Sequence, residues 1–497
     1  MFNRRILFFP VDERFCTRDY FLLMAQAAGI KVITPPKRFL GAKKTPPDLR
    51  RLLLWLEANA KSGDDLVLSI DMLVHGGLIP SRTSLDSIET LEERLSILKI
   101  LKDRGCKIYA TASITRTPFY NSSEEEPDYW QAYGQEIHAI SRLIAKSFQS
   151  ESISNQLIEK ARHIPPVFLS DYLQRRARNR KLVSRTIDLV RQGVIEFLNL
   201  VLDDNSRESL SMEEGRLHQI MVTQLGIEEK VAIHAGADEA ALSLLSRILA
   251  GSCDMIPEFE VHYAAEEHRM AVPPYEGSPL WMGIRSHVEA AGGRVVEGSG
   301  QIALLVNNGA QGLDSANQNK TETDPKPYAR LLGRVNNPLP KIKSVADVKY
   351  TNGGDNHLVQ ELLRKQIFDW RVMSYAGWNT AGNTLGTCCA YAIIQYLGEK
   401  GFIPLDEPSM KRVAVLFFLE HWAFQSNIRN DLIIQGQRKG VQPWTVIPIE
   451  LWAEGYVQSA MEAYKPIIQQ GLGIDFALES VFFPWHRSFE IGISVEV

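Results

Sequence analysis

The chain is 497 residues long, 45% hydrophobic, and carries a formal net charge of −4. That length and apolar share describe a large globular protein with a substantial core, and so small a net charge gives no electrostatic basis for general nucleic-acid binding. Five scattered cysteines with no CxxC pattern point to free thiols in a reducing compartment, and no apolar run approaches the roughly 18 residues a membrane span needs. A cytoplasmic protein with neither a membrane nor a nucleic-acid partner is expected; a homo-oligomer is compatible with this.

Residues 6–9 are a short apolar run stopped by Pro10 and Asp12, which reads as a first strand rather than a signal-peptide core. A helix through 20–25, a short strand at 31–34 and a helix over 48–61, with Leu49, Leu52, Leu53 and Leu56 at helical spacing, follow. Further strands are predicted at 65–70, 107–114, 195–202, 231–235, 259–263, 302–306, 345–350 and 372–376, most of them ending in a polar tip before a helical segment. Residues 119–190 read as mostly helical and polar, with Arg175, Arg176, Arg178, Arg180 and Lys181 on a solvated helix face. Residues 310–340, rich in Asn, Gln, Asp and Pro, read as a long loop.

A rhythm of strand, polar tip and helix repeated about eight times predicts a parallel α/β fold, and the repeat number favours a (β/α)8 TIM-like barrel with helical insertions over 1–399. Beyond residue 400 the pattern changes: 410–434 reads as one long helix and 488–497 as a terminal strand, so 400–497 is expected to be a mainly helical extension packed on the barrel.

Chemistry concentrates at the strand tips. The run 231–239 turns from apolar strand into Gly236-Ala237-Asp238-Glu239, directly before a strong helix-forming stretch. Asp238 and Glu239 read either as a helix cap with a dipole-complementing neighbour or as a pair of catalytic carboxylates. Alternation along the strand points them to opposite faces unless the chain twists at its end. Asp12, Arg14, Asp71, Arg82, Asp203, Asp204, His234, Asn307, Asn352, Asp355, Trp378 and Asn379 lie at or near other tips. In a barrel all such tips meet at one face. Carboxylates and amides in that number, with two arginines and an indole to stack on a ring, suit a small carbohydrate substrate, and a pair of carboxyl groups is the minimum set for glycoside hydrolysis.

The blocks Pro10-Val11-Asp12-Glu13-Arg14, Asp71 through Arg82, Asp203-Asp204-Asn205, Gly236-Ala237-Asp238-Glu239, Asn352-Gly353-Gly354-Asp355 and Trp378-Asn379-Thr380 resemble those of an uncharacterised bacterial family, domain of unknown function family 4127. That resemblance covers most of the chain and implies no activity. Locally, His234-Ala235-Gly236-Ala237-Asp238-Glu239 is similar to the His-x-Gly-Gly-Asp-Glu block of β-N-acetylhexosaminidases, which are barrel enzymes, departing from it at Ala237. The resemblance implies that Asp238 orients the substrate's acetamido group and that Glu239 is the general acid and then the base. Asp203-Asp204 resembles the Asp-Asp pair of another substrate-assisted hexosaminidase group, and only one of the two pairs can be catalytic. A retaining β-N-acetylhexosaminidase with no cofactor and no metal is therefore expected, with catalytic Asp238 and Glu239 and the other tip residues binding sugar.

Two rival readings stay open. Asp71, Asp203, Asp204, Asp238 and Glu239 suit Mg²⁺ or Mn²⁺ in a metal-dependent hydrolase or lyase acting on a sugar or sugar acid. Zinc is disfavoured, because His75, His234 and His262 stand on separate strands without short-range ligand spacing. A non-catalytic carbohydrate or phosphate sensor is the other rival, with residues 377–386 leading into a helix that would offer its backbone N–H groups to a phosphate.

Overall fold

The structure, a computed structural model, describes residues 4–148, 154–310, 313–320 and 325–497. Strands β1 (Arg5–Phe9), β2 (Lys31–Ile33), β3 (Asp65–Ser69), β4 (Lys107–Ile114), β5 (Phe197–Leu202) and β6 (Val231–Ala235) form a wholly parallel six-stranded sheet in the order β2-β1-β3-β4-β5-β6. A second parallel sheet, of five strands, contains β7 (Glu258–Tyr263), β8 (Arg294–Val295), β9 (Ile302–Asn307), β11 (Ile342–Asp347) and β13 (Met373–Ala376), ordered β13-β11-β9-β7-β8. Two short strands, β10 (Leu313–Asp314) and β12 (Tyr350–Thr351), pair with each other, and β14 (Ala477–Phe482) and β15 (Gly492–Glu496) make an antiparallel pair near the C-terminus.

Counted from its own first strand, each sheet runs 2-1-3-4-5, and the first adds a sixth strand. This is a doubly wound order, in which helices cover both faces and ligands bind beyond the carboxyl ends of the strands. The closed ring of eight expected from the strand rhythm is not what the pairing shows: among the described residues no pair joins β2 or β6 to a strand of the second sheet. Alternating strands and helices are common to barrels and open sheets. Which edge strands meet is a long-range matter that local periodicity does not carry.

The strands are apolar on both faces, β1, β3, β5, β9 and β11 being buried almost throughout, as a sheet covered by helices on two sides requires. Between the sheets run the helices Ala240–Ser252 and Ala381–Glu399, the latter buried from Ala381 to Leu397. Its all-round apolar sequence fits a helix with no solvent face, and Cys388 and Cys389 are core residues in it, as their apolar setting predicts.

Two sequence expectations need correction. The stretch read as a loop carries a 3₁₀ turn, Ser315–Lys320, and a helix, Pro325–Val335; its polar composition masked the spacing of Tyr328, Leu331, Leu332 and Val335, which are buried. The basic cluster is not simply a solvated face. Arg175 and Arg178 donate to the backbone carbonyls of Thr83, Ser84 and Asp86, and buried Arg176 pairs with Glu214 at 2.8 Å and donates to the Thr115 carbonyl. The long helix Pro166–Arg191 is thereby held against neighbouring loops. The C-terminal region holds the helices Glu407–Phe417, Arg429–Arg438, Glu450–Met461 and Lys465–Leu472, with a π-helical segment, Phe418–Ile428, between the first two.

Candidate active site: a cavity of guanidinium–carboxylate pairs

A cavity of about 1080 Å³ opens at the carboxyl ends of the six-stranded sheet. Each wall begins where a strand is broken. At the end of β1, Pro10 stops the ladder and the next residues turn Asp12 and Arg14 inward. Arg14 donates to Asp12 through Nε and Nη2 at 2.8–3.1 Å, and through Nη2 to Asp238 at 2.6 Å; its Nη1 lies 3.6 Å from Glu490. Asp238 therefore does not cap the helix that follows it, and Glu239 at the cap position makes no side-chain cap either. Burial pushes the Asp238 carboxyl up to about 6, although Arg14 pulls the other way.

A second cluster closes the opposite wall. Arg82 pairs with Asp203 at 2.5 Å and with Glu126 at 3.2 Å, while Arg116 pairs with Asp204 and with Glu125 at 2.8 Å. Arg487, from the segment before β15, bridges Glu125 and Glu490 and so joins the two clusters. Burial works against ionising Glu125, but the guanidiniums of Arg487, Arg116 and Arg82 overcome it and hold its carboxyl well below the usual range. Asp204 is the reverse case: burial, assisted by the Asp203 charge, outweighs Arg116 and raises it. The chemical result is a set of carboxyl groups each held by a fixed guanidinium. A divalent cation at Asp203, Asp204 and Asp238 would have to displace Arg82, Arg116 and Arg14 from their oxygens, which argues against the five-carboxylate metal site.

Of the residues expected to form the site, Arg14, Arg82, Asp203, Asp204, Asp238, Asn352 and Asn379 line the cavity. Asp12 supports Arg14 from behind. Glu239, expected to be the acid/base, is 1% exposed and does not line the cavity; its Oε2 accepts from the Ala237 N–H at 2.9 Å, and burial raises its carboxyl to about 8. His234 is also buried, its Nδ1 bonded to the Ala235 carbonyl at 2.8 Å. Asn307 donates to Asp347 at 2.8 Å, and Asp355 caps the helix Asn356–Arg364; both serve the tips of the second sheet, away from the cavity. Trp378 is buried against Tyr20 and His421 and is not open to a ligand. Trp444 and Tyr275, partly exposed on the cavity wall, offer the flat faces instead. Thr380 caps the helix Ala381–Glu399 through the Asn383 N–H, which makes 377–386 a strand-to-helix loop with its cap already supplied.

Sequence reasoning missed Glu125, Glu126, Trp444, Trp485 and Arg487. Trp485 lies between two guanidiniums, 4.4 Å from Arg14 and 4.7 Å from Arg487, and donates to Glu13 at 2.6 Å. The one sequence signal was three adjacent glutamates, Glu124 to Glu126, in a stretch passed over as polar. Backbone strain marks the same place. Lys43, Asp204, Tyr275, Asn352, Asn379 and Trp485, six of the nine non-glycine residues with positive φ among the described residues, line this cavity. Such conformations persist where the surrounding structure holds them, and they gather at binding and catalytic sites.

Asp71 sits behind the cavity in the short helix Ile70–His75, its Oδ2 accepting from the Ser113 N–H at 3.0 Å. Burial raises it from 3.8 to about 7, and the Asp203 charge adds to the rise. A raised value means that the folded state favours the protonated acid. Its contribution is therefore full below about pH 4 and is lost as pH rises through about 7. Asp71→Asn should show a smaller loss of stability between pH 4 and pH 8 than the parent, by at most roughly 4 kcal/mol. Melting temperatures of both proteins across that range check this, and parallel pH profiles would refute it.

The fold and cavity define a parallel α/β protein with a large polar site at the sheet's carboxyl edge. Residues 6–494 match the family described as protein of unknown function (DUF4127), and the chain belongs to that family. No curated protein and no solved structure matches it. Among the described residues no helix is long and apolar enough to cross a membrane.

Proposed function

We propose that the chain is a glycoside hydrolase acting on N-acetylated hexosides by substrate-assisted catalysis, with Asp203 and Asp204 as the working pair. The observation that carries this reading is two adjacent carboxylates at the tip of β5, each held by a different arginine and both lining one cavity. Its volume of about 1080 Å³ is at the upper end of the range for small-ligand sites and has room for more than one sugar ring. The pair takes the place of Asp238-Glu239 because Glu239 does not face the cavity.

The roles follow from the surroundings. Asp203, held by Arg82, accepts the acetamido N–H and turns the acetamido oxygen toward the anomeric carbon. That oxygen forms the new bond as the glycosidic C–O bond breaks. Asp204, whose carboxyl burial raises, gives its proton to the departing oxygen. As the carboxylate it then takes a proton from the water that opens the cyclic intermediate, so one residue serves as acid and base. Asn352 and Asn379 are tied together by an Asn352 N–H to Asn379 carbonyl bond of 2.8 Å; Asn379 presents its amide to sugar hydroxyls, and Asn352, whose Nδ2 donates to Asp314 at 2.5 Å, its amide oxygen, while Tyr275 and Trp444 present ring faces to the sugar's C–H face.

A panel of 4-nitrophenyl glycosides tests the reading. Release from an N-acetylhexosaminide, with little from the matching hexoside that lacks the acetamido group, is the expected outcome. Equal release from both would remove the acetamido step, and release from none would remove the glycosidase.

A further inference from the structure

Behind the cavity wall, three side chains meet that neither the proposed reaction nor the core uses. His234 is the penultimate residue of β6, Glu239 stands at the cap of the helix Ala240–Ser252, and His287 lies on the helix Leu280–Ala290. One ligand atom from each lies within 4.8 Å of the other two. His234 is 4% exposed, Glu239 1% and His287 0%. We propose that these three residues bind one divalent transition-metal ion of the zinc type.

The free valences all converge on this point. His234 Nδ1 is taken by the Ala235 carbonyl at 2.8 Å, which fixes the N–H on that nitrogen and leaves Nε2 with its lone pair and no partner. A metal-bound histidine carries this pattern, one ring nitrogen on a backbone carbonyl and the other on the ion. Glu239 Oε2 is held by the Ala237 N–H, and Oε1 has no partner. Neither nitrogen of His287 has one; the Ala235 carbonyl also faces that ring, but no bond of normal geometry forms. The two imidazole rings stand 4.1 Å apart, and His287 Nδ1 lies 3.9 Å from Glu239 Oε1, too far for a hydrogen bond.

A buried polar atom without a partner is costly to keep from water, so several turned on one point call for a shared partner. The backbone makes room for these side chains. A Cβ on Gly386 would sit 2.2 Å from Glu239 Cγ and 3.2 Å from His287 Nδ1, and one on Gly236, where φ is +128°, would sit 2.0 Å from Glu239 Oε1. Two imidazoles with one carboxylate suit zinc or iron(II) and not calcium or magnesium, which prefer all-oxygen sets. Drawing the three atoms onto one ion requires a small contraction, since ligand bonds to zinc are about 2.0–2.2 Å. The ion would tie the last strand of the first sheet to the helix that follows the first strand of the second. It would also anchor the loop that carries Asp238 to the cavity. This site is separate from the proposed reaction, which routes no step through these residues.

The test uses the full chain, purified from medium supplemented with Zn²⁺, desalted and analysed by elemental mass spectrometry. About one equivalent of zinc per chain is expected, falling to about a tenth in His287→Gln and His234→Gln. Circular dichroism confirms that the variants are folded. Should either variant fail to fold, the parent alone decides: chain stripped of metal and titrated with Co²⁺ should develop visible absorption saturating at one equivalent, and its melting temperature should rise. Metal-free parent that neither absorbs with Co²⁺ nor melts higher with Zn²⁺ would overturn the site. So would folded variants that keep the parent's metal. Glycoside turnover enters neither readout, so failure here leaves the proposed reaction standing.

Discussion

Asp204→Asn is expected to lower turnover of an N-acetylhexosaminide by about a thousandfold, the middle of the range for losing a positioned general acid. The substitution suits the question because residue 204 has φ +35°, a left-handed conformation that Asn tolerates better than most residues. The backbone of the strand tip is thereby preserved while the titrating group is removed. The size of the loss should depend on the leaving group. A 4-nitrophenolate departs with little protonic help, so its first step suffers less than that of an alkyl glycoside. Asp203→Asn should be insensitive to the leaving group, because the acetamido oxygen must be aimed whatever departs. Plotting kcat/KM against leaving-group basicity for the two variants separates acid from orienter. Parent-level turnover in Asp204→Asn would end this assignment. So would a loss confined to Glu239→Gln that followed leaving-group basicity, which would return the acid/base role to the buried residue.

Most strands of the two sheets were legible because each is a short apolar run ended by a polar tip, as at Phe9-Pro10, Leu202-Asp203 and Ala235-Gly236; the two-residue β8 carried no such run, and β11 begins three residues before the stretch 345–350 read as its strand. Their division into two sheets was not, since β6 and β7 look alike as sequence and differ only in their distant neighbours. The same distinction governs the site. Arg14, Asp203, Asp204 and Asp238 lie within five residues of their strands' ends, and Arg82 lies on the second short helix beyond β3; all five line one cavity. Beyond the second sheet the tips divide: Asn379 after β13 and Asn352 after β12 reach the cavity, whereas Trp378 is buried against Tyr20 and His421, and Asn307 and Asp355 are tied up with Asp347 and the helix Asn356–Arg364. Asp238 and Glu239 are neighbours on a backbone whose alternation sends them apart, and the turn at Gly236 does not bring them back together: one reaches the cavity and the other the two histidines. His287 could not have been linked with His234 by ligand spacing, because it lies 53 positions further on, with the helix Ala240–Ser252 and the strand β7 between them. Arg487 and Trp485 come from the C-terminal segment, where no strand rhythm pointed toward the site.

Arg14→Met is expected to cost about 3–5 kcal/mol of stability, the range for removing one partner from a buried ion pair. Asp12, Asp238 and Glu490 are all buried around this one guanidinium, at 3%, 8% and 1% exposure. Arg487 still reaches Glu490, but Asp12 and Asp238 have no other cation among the ion pairs of the described residues. Their charges would stay buried unmatched or take up protons, and either outcome favours the unfolded chain. Arg14→Lys should recover little, since a single ammonium cannot reproduce the fork that meets Asp12 and Asp238 together. The double change Arg14→Met with Asp238→Asn should be more stable than Arg14→Met alone, because one stranded charge is gone. Thermal or urea unfolding of the three variants reads this ordering directly. A double variant less stable than Arg14→Met would mean that Asp238 stabilises the fold through something other than Arg14, and the charge-matching account of this cavity wall would fail with it.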